Sequence, residues 1–111
     1  MTTLGVKRTD EGLLGAGMYF GETAATSAKY SQVGQKGYRM MLVATVALGN
    51  IKDYHQPNLD LTKPPLNFHS CHGVKSTPYA PTGFVDSEYV IYETDQQRID
   101  YVLQFQLRAT F

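Results

Sequence analysis

Gly15-Ala16-Gly17-Met18-Tyr19-Phe20-Gly21-Glu22-Thr23-Ala24-Ala25-Thr26-Ser27-Ala28-Lys29-Tyr30 passes from a glycine-rich approach to a strand and then to a helix. Gly15-Ala16-Gly17 reads as a flexible approach to the next element. Met18 to Phe20 reads as a very short strand. Glu22 to Ser31 is rich in alanine and free of glycine and proline, which predicts a short helix. Ser27 and Tyr30 lie three residues apart on it and share a face, joined by Thr23. That face is polar and aromatic, while Ala24, Ala25 and Ala28 permit close packing elsewhere.

Upstream, Leu4 to Gly17 holds four glycines and little periodicity, so a loop is expected. Downstream, Gly34 to Gly37 reads as a loop. Tyr38 to Leu48 then carries apolar residues in both phases of the alternation, as in a strand buried on both faces. Gly49 marks a bend before Asn50 to Tyr54. Residues 57 to 83 contain all five prolines, which predicts a long irregular connection with short strands near Cys71 and Val74. Glu88 to Glu93 is a strand by its tyrosine, valine and isoleucine content. Thr94 to Gln97 is a turn. Asp100 to Phe111 alternates Tyr101, Leu103, Phe105 and Leu107 with Val102, Gln104, Gln106 and Arg108, which predicts one buried and one wet face. Glu88 to Phe111 is then a closing hairpin. The order of elements gives an α+β domain with a mainly antiparallel sheet and a short helix.

The bulk properties narrow the function. A chain of 111 residues fits one domain with one core. A hydrophobic content of 42% argues against disorder. The formal net charge is zero and no basic run occurs, so nucleic acid is not indicated. Met40 to Leu48, the longest apolar stretch, is about half of a membrane helix. Met1-Thr2-Thr3-Leu4 lacks the features of a signal peptide. The one cysteine, Cys71, cannot form an internal disulfide, which points to an intracellular compartment, cytoplasmic or nuclear.

Two aromatic rings and a hydroxyl can hold a flat amide, and a carboxylate across the pocket can steady a sugar cation. Tyr19, Tyr30 and Ser27 supply the first set and Glu88 the second. Taken singly, each has an ordinary reading: a core tyrosine, a helix-surface serine, a solvated glutamate. His69, Cys71 and His72 invite a metal. On a strand His72 points away from the other two and no fourth ligand is evident, so no metal is expected. Cys71 lacks an evident base and reads as a buried thiol. The glycines of Gly12 to Gly17 lack the strand and lysine of a phosphate-binding loop.

The ordered motifs resemble the poly(ADP-ribose) polymerase family. Gly15 to Phe20, followed by Thr26-Ser27-Ala28-Lys29-Tyr30, is similar to its nicotinamide-binding segment. Val46 to Asn50 resembles the strand that follows, and His69 to Val74 its short serine- and glycine-containing strand. Ser87-Glu88-Tyr89-Val90-Ile91-Tyr92 with Gln97 resembles its catalytic-glutamate strand and turn. Gly5 to Asp10 and Leu61 to Pro65 look closest to the vault-type subgroup. The resemblance runs from about Gly5 to the C-terminus.

It implies an ADP-ribosyltransferase fold and transfer of ADP-ribose from NAD to a protein or other nucleophile, with release of nicotinamide. NAD is a substrate here. Tyr19 and Tyr30 would flank the nicotinamide, Ser27 would bind its amide, and Glu88 would be the catalytic carboxylate. Leu4 to Gly17 would close over the NAD donor, and the stretch between Asn50 and Asp86 would face the acceptor. The family also has an earlier histidine–glycine motif. His55, His69 and His72 do not match it, so an incomplete catalytic domain, its C-terminal portion, is expected. Weak turnover in isolation, self-association and completion by a partner segment follow as expectations. The alternative is an inactive reader of NAD or ADP-ribose.

Overall fold

In the computed structural model the described residues are 2–4, 6–28 and 35–106, with side chains described from residue 12 onward except at 28 and 35. They form strands β1 (Thr2–Leu4), β2 (Val6–Gly12), β3 (Gly15–Gly21), β4 (Arg39–Val46), β5 (Ile51–Tyr54), β6 (Ser70–Gly73), β7 (Glu88–Ile91) and β8 (Gln97–Phe105), with helix α1 (Ala24–Ala28) between β3 and β4. One sheet has the order β1-β4-β8 and the other β2-β3-β7-β6-β5. Only β5 and β6 run parallel among the described ladders, and their crossover is the first part of the proline-rich stretch that the sequence marks as irregular. The α+β class and the mainly antiparallel sheet stand.

The sheet register separates two apolar clusters. Tyr19, Val90 and Cys71 occupy one row of the five-stranded sheet. They point to one face and pack with Leu14 and Phe84. Phe20 and Ile91 point to the other face and meet Ala44 and Val46 of β4, which joins the two sheets. Val90, Ile91, Cys71, Ala44 and Leu14 are all fully buried.

Three expectations need correction. The stretch expected as a loop is a hairpin in its described residues 6–17: β2 pairs with β3 from Val6↔Phe20 to Gly12↔Gly15. Lys7-Arg8-Thr9-Asp10-Glu11 is polar in both phases, so no alternation announces the strand, and the backbone ladder makes it instead. The hairpin turn is held from outside. Leu13 accepts the Asn58 N–H at 2.8 Å and Ala16 donates to the Leu61 carbonyl at 2.9 Å.

Secondly, β7 and β8 do not pair. β7 lies between β3 and β6, whereas β8 pairs with β4 in the other sheet. The switch occurs at Thr94–Gln96, a single 3-10 turn. Gln96 secures it, its side-chain amide donating to the carbonyls of Ala47 at 3.0 Å and His69 at 2.9 Å.

Thirdly, β8 has no dry face among its described residues. Ile99, Tyr101, Val102 and Leu103 are 49%, 67%, 56% and 40% exposed. Their apolar pattern is real, but β8 stands at the end of its sheet with β4 as its one described neighbour. β4 itself is buried in both phases, Met41 on one face and Ala44 and Val46 on the other. A register shift between Val43 and Ala44 leaves Asp100 as the extra residue of β8.

Candidate active site

Glu88 opens β7 and lies in a row with Gly21 of β3 and Gly73 of β6. Both neighbours lack side chains, and each vacancy is used. A methyl group on Gly73 would come 2.5 Å from the Phe84 ring. One on Gly21 would come 2.8 Å from the Ser27 hydroxyl. Residues in one row of a sheet project to the same face. Ser27 therefore sits above Gly21, on the face that carries the Glu88 side chain, with Phe84 above Gly73 on the other flank.

Helix α1 places Ser27 there. Thr23 caps it, its Oγ1 accepting the Thr26 N–H at 3.1 Å, while the Ser27 N–H donates to the Thr23 carbonyl at 3.2 Å. The result is a serine only 8% exposed, whose hydroxyl has no hydrogen-bond partner among the described residues. A buried polar group left without a partner costs free energy, on the order of 1–3 kcal/mol. It is therefore a place that a ligand acceptor or donor fits.

Tyr19 lies two rows away, on the same face. Its ring is 9% exposed and belongs to the core cluster with Leu14 and Phe84. The hydroxyl accepts the Leu14 N–H at 2.9 Å and donates to the Gly15 carbonyl at 2.7 Å. Burial, followed by the nearby negative charge of Glu88 and Cys71, pushes its pKa up to about 12 against the opposing hydrogen bond from Leu14. Tyr19 thus stays neutral and packs beside the Glu88 row on the same face. The Leu14 turn covers its ring. Tyr92 secures that turn from the far side, donating to the Leu14 carbonyl at 2.6 Å. Burial raises the Tyr92 hydroxyl well above its ordinary range and also raises the Cys71 thiol, which is fully enclosed.

The structure therefore gathers three sequence-predicted residues, Ser27, Glu88 and Tyr19, on one face of one sheet. Tyr30 lies outside the described residues. Sequence reasoning missed Phe84 and Leu14, which wall the same face, and Glu22 and Tyr89, which meet on the opposite face. Glu22 and Tyr89 are 67 residues apart, and no local pattern pairs them.

The family model described as the poly(ADP-ribose) polymerase catalytic domain matches residues 4–82. That is well over half of the chain, so the chain belongs to the poly(ADP-ribose) polymerase catalytic-domain family. It is 42% identical over 104 residues to protein mono-ADP-ribosyltransferase PARP4 of Homo sapiens, covering 93% of this chain and 6% of that protein. The Mus musculus protein of the same name is 41% identical over 102 residues, covering 91% of this chain and 5% of that protein. Poly [ADP-ribose] polymerase 1 of Oryza sativa subsp. japonica is 26% identical over 117 residues, covering 83% of this chain and 12% of that protein. The chain thus spans a small fraction of the length of the curated relatives it matches.

Proposed function

We propose that this chain carries the nicotinamide–ribose portion of an ADP-ribosyltransferase site, with NAD as the donor substrate. The observation that carries the reading is the buried Ser27 hydroxyl, without a partner among the described residues, set above Gly21 in the row of Glu88. Family membership supplies the reaction class. In that reaction the bond between nicotinamide and C1 of the ribose breaks, and its electron pair leaves with the nicotinamide. The sugar carbon, with oxocarbenium character, is captured by a nucleophile that gives up a proton.

Each residue has a role on this reading. Ser27 hydrogen-bonds the carboxamide and fixes the ring plane. Glu88 places negative charge beside the developing cation and sits where it can hold a ribose hydroxyl or receive the nucleophile's proton. Tyr19 is the neutral phenol of that face, and the flanking role that the resemblance implies for Tyr30 falls outside the described residues. The two mammalian relatives carry mono-ADP-ribosyltransferase in their names. That favours transfer of one unit to a protein acceptor over polymer extension.

The test is release of nicotinamide from NAD by a form that turns NAD over, with the upstream segment supplied in cis or as a partner chain, compared with its Glu88→Gln variant at matched concentrations of folded protein. The substitution keeps the shape and removes the charge. Release is expected to fall by at least about a hundredfold, since a directed electrostatic contact of this kind is commonly worth a few kcal/mol. Equal release would remove Glu88 from the chemistry.

A further inference from the structure

Ser27 and Glu88 belong to different segments, so something must hold their separation. On the far face of the sheet, Tyr89 donates its hydroxyl to Glu22 Oε1 at 2.6 Å. Glu22 is the residue between Gly21, the last of β3, and Thr23, the cap of α1. Tyr89 follows Glu88 directly and points to the opposite face. The β3–α1 corner is thus gripped from both sides of the sheet. Ser27 lies over Gly21 on one face, and Glu22 reaches the tyrosine on the other.

Tyr89 is itself held. Its ring stacks on His72 at 4.4 Å between centroids and 6° between planes. Parallel rings at this distance restrict rotation of both. His72 Nδ1 lies 3.0 Å from Asp53 Oδ1, and His72 is itself largely shielded. Asp53, His72 and Tyr89 occupy one row across β5, β6 and β7, adjacent to the row of Glu88. Burial and the bond to Glu22 push the Tyr89 phenol up to about 12, so it remains a donor throughout the neutral range.

We propose that Tyr89 is a positioning residue: its bond to Glu22 tethers the corner that carries Ser27 to the strand that carries Glu88, and so sets the spacing of the two site groups. The sequence offers Tyr89 only as a strand residue and Glu22 only as a helix-start acid. As a device for the reaction it rests on the proposed nicotinamide site, whereas the tether itself does not.

Amide hydrogen exchange read residue by residue tests the tether without any ligand. Tyr89→Phe keeps the ring on His72 and removes only the hydroxyl. Glu22→Ala removes the acceptor from an exposed position, where folding is not at stake. In either variant the Ser27 amide, which closes α1 on Thr23, is expected to exchange about fivefold to tenfold faster, the usual worth of one such bond. The double variant should exchange no faster than either single one, because both remove the same bond. Glu22→Gln, which retains an acceptor oxygen, should restore the parent rate, and amides of β4 should not change. Unchanged Ser27 exchange in both single variants, or additive effects in the double, would overturn the tether. Benzamide titrated into the same proteins reads the consequence. Weaker binding in Tyr89→Phe and recovery in Glu22→Gln support the positioning role, and equal binding in all variants overturns it. Absence of benzamide binding by the parent would instead overturn the nicotinamide site, and the exchange rates would still decide the tether.

Discussion

Two glycines and a serine define the scale at which the site works. Gly21 and Gly73 flank Glu88, and their missing side chains are where Ser27 and Phe84 come to rest. The two positions predict different failures. Gly73→Ala drives a methyl group into the Phe84 ring at 2.5 Å, and Phe84 is a fully buried core residue. Overpacking of that kind costs about 1–3 kcal/mol, to be read as a lower denaturation midpoint in urea. Gly21→Ala meets the Ser27 hydroxyl at 2.8 Å and a Thr26 methyl at 3.1 Å, both at the edge of the site. Its expected signature is loss of benzamide affinity, measured by calorimetry, that exceeds any loss of stability. The reverse ranking, with Gly73→Ala the poorer binder and Gly21→Ala the less stable, would place the pocket on the Phe84 side of Glu88.

At the scale of elements, one polar side chain each marks α1 and β8. α1 spans Ala24–Ala28, too short to be stable on propensity alone. Thr23→Ala removes its cap and should cost about 1 kcal/mol, read as a shift in thermal midpoint. In β8, Asp100 accepts Thr45 Oγ1 at 2.5 Å and Arg98 Nε at 2.8 Å where the register shifts. The Thr45 bond first, and the Arg98 guanidinium after it, lower the Asp100 carboxyl below its usual value. A carboxyl depressed in the folded state stabilises above its unfolded pKa and loses that contribution as pH falls through its folded one. Asp100→Asn should therefore flatten the stability profile on the acid side of pH 4 and leave its slope near neutrality unchanged. What could be read in advance follows the same physics. β4 was legible because its apolar residues fill both phases; ordered motifs singled out Ser27 and Glu88 but not the shared face on which the sheet register puts them. β2 was hidden because residues 7–11 are polar throughout. The packing of Tyr19 was hidden because it depends on the Leu14 turn folding back through contacts with Asn58 and Leu61, more than forty positions away. Burial of β8 could not be judged from its alternation, since alternation states a preference and only a neighbouring layer satisfies it.

Across the whole molecule, the five-stranded sheet has both faces furnished, whereas β8 of the other sheet presents Tyr101 and Val102 on opposite faces, at 67% and 56% exposure. An exposed apolar edge strand is a template for pairing. Sedimentation should show concentration-dependent association of the chain, and lysine at position 102 (Val102→Lys) should weaken it. A monomer at every concentration tested would show that β8 is no such edge in solution. The site is a different matter, since it lies on the five-stranded sheet and turns on one hydroxyl. Ser27 is buried without a partner among the described residues, which burdens the folded state unless a ligand uses it. The decisive measurement is a paired one on Ser27→Ala: thermal midpoint without ligand, and benzamide affinity by calorimetry. The midpoint should hold or rise, because an unsatisfied group has gone, while affinity falls about fivefold through loss of a hydrogen bond worth about 1 kcal/mol. A lower midpoint with unchanged affinity would show a serine that serves the fold, and would move the nicotinamide seat away from the Gly21–Glu88 row.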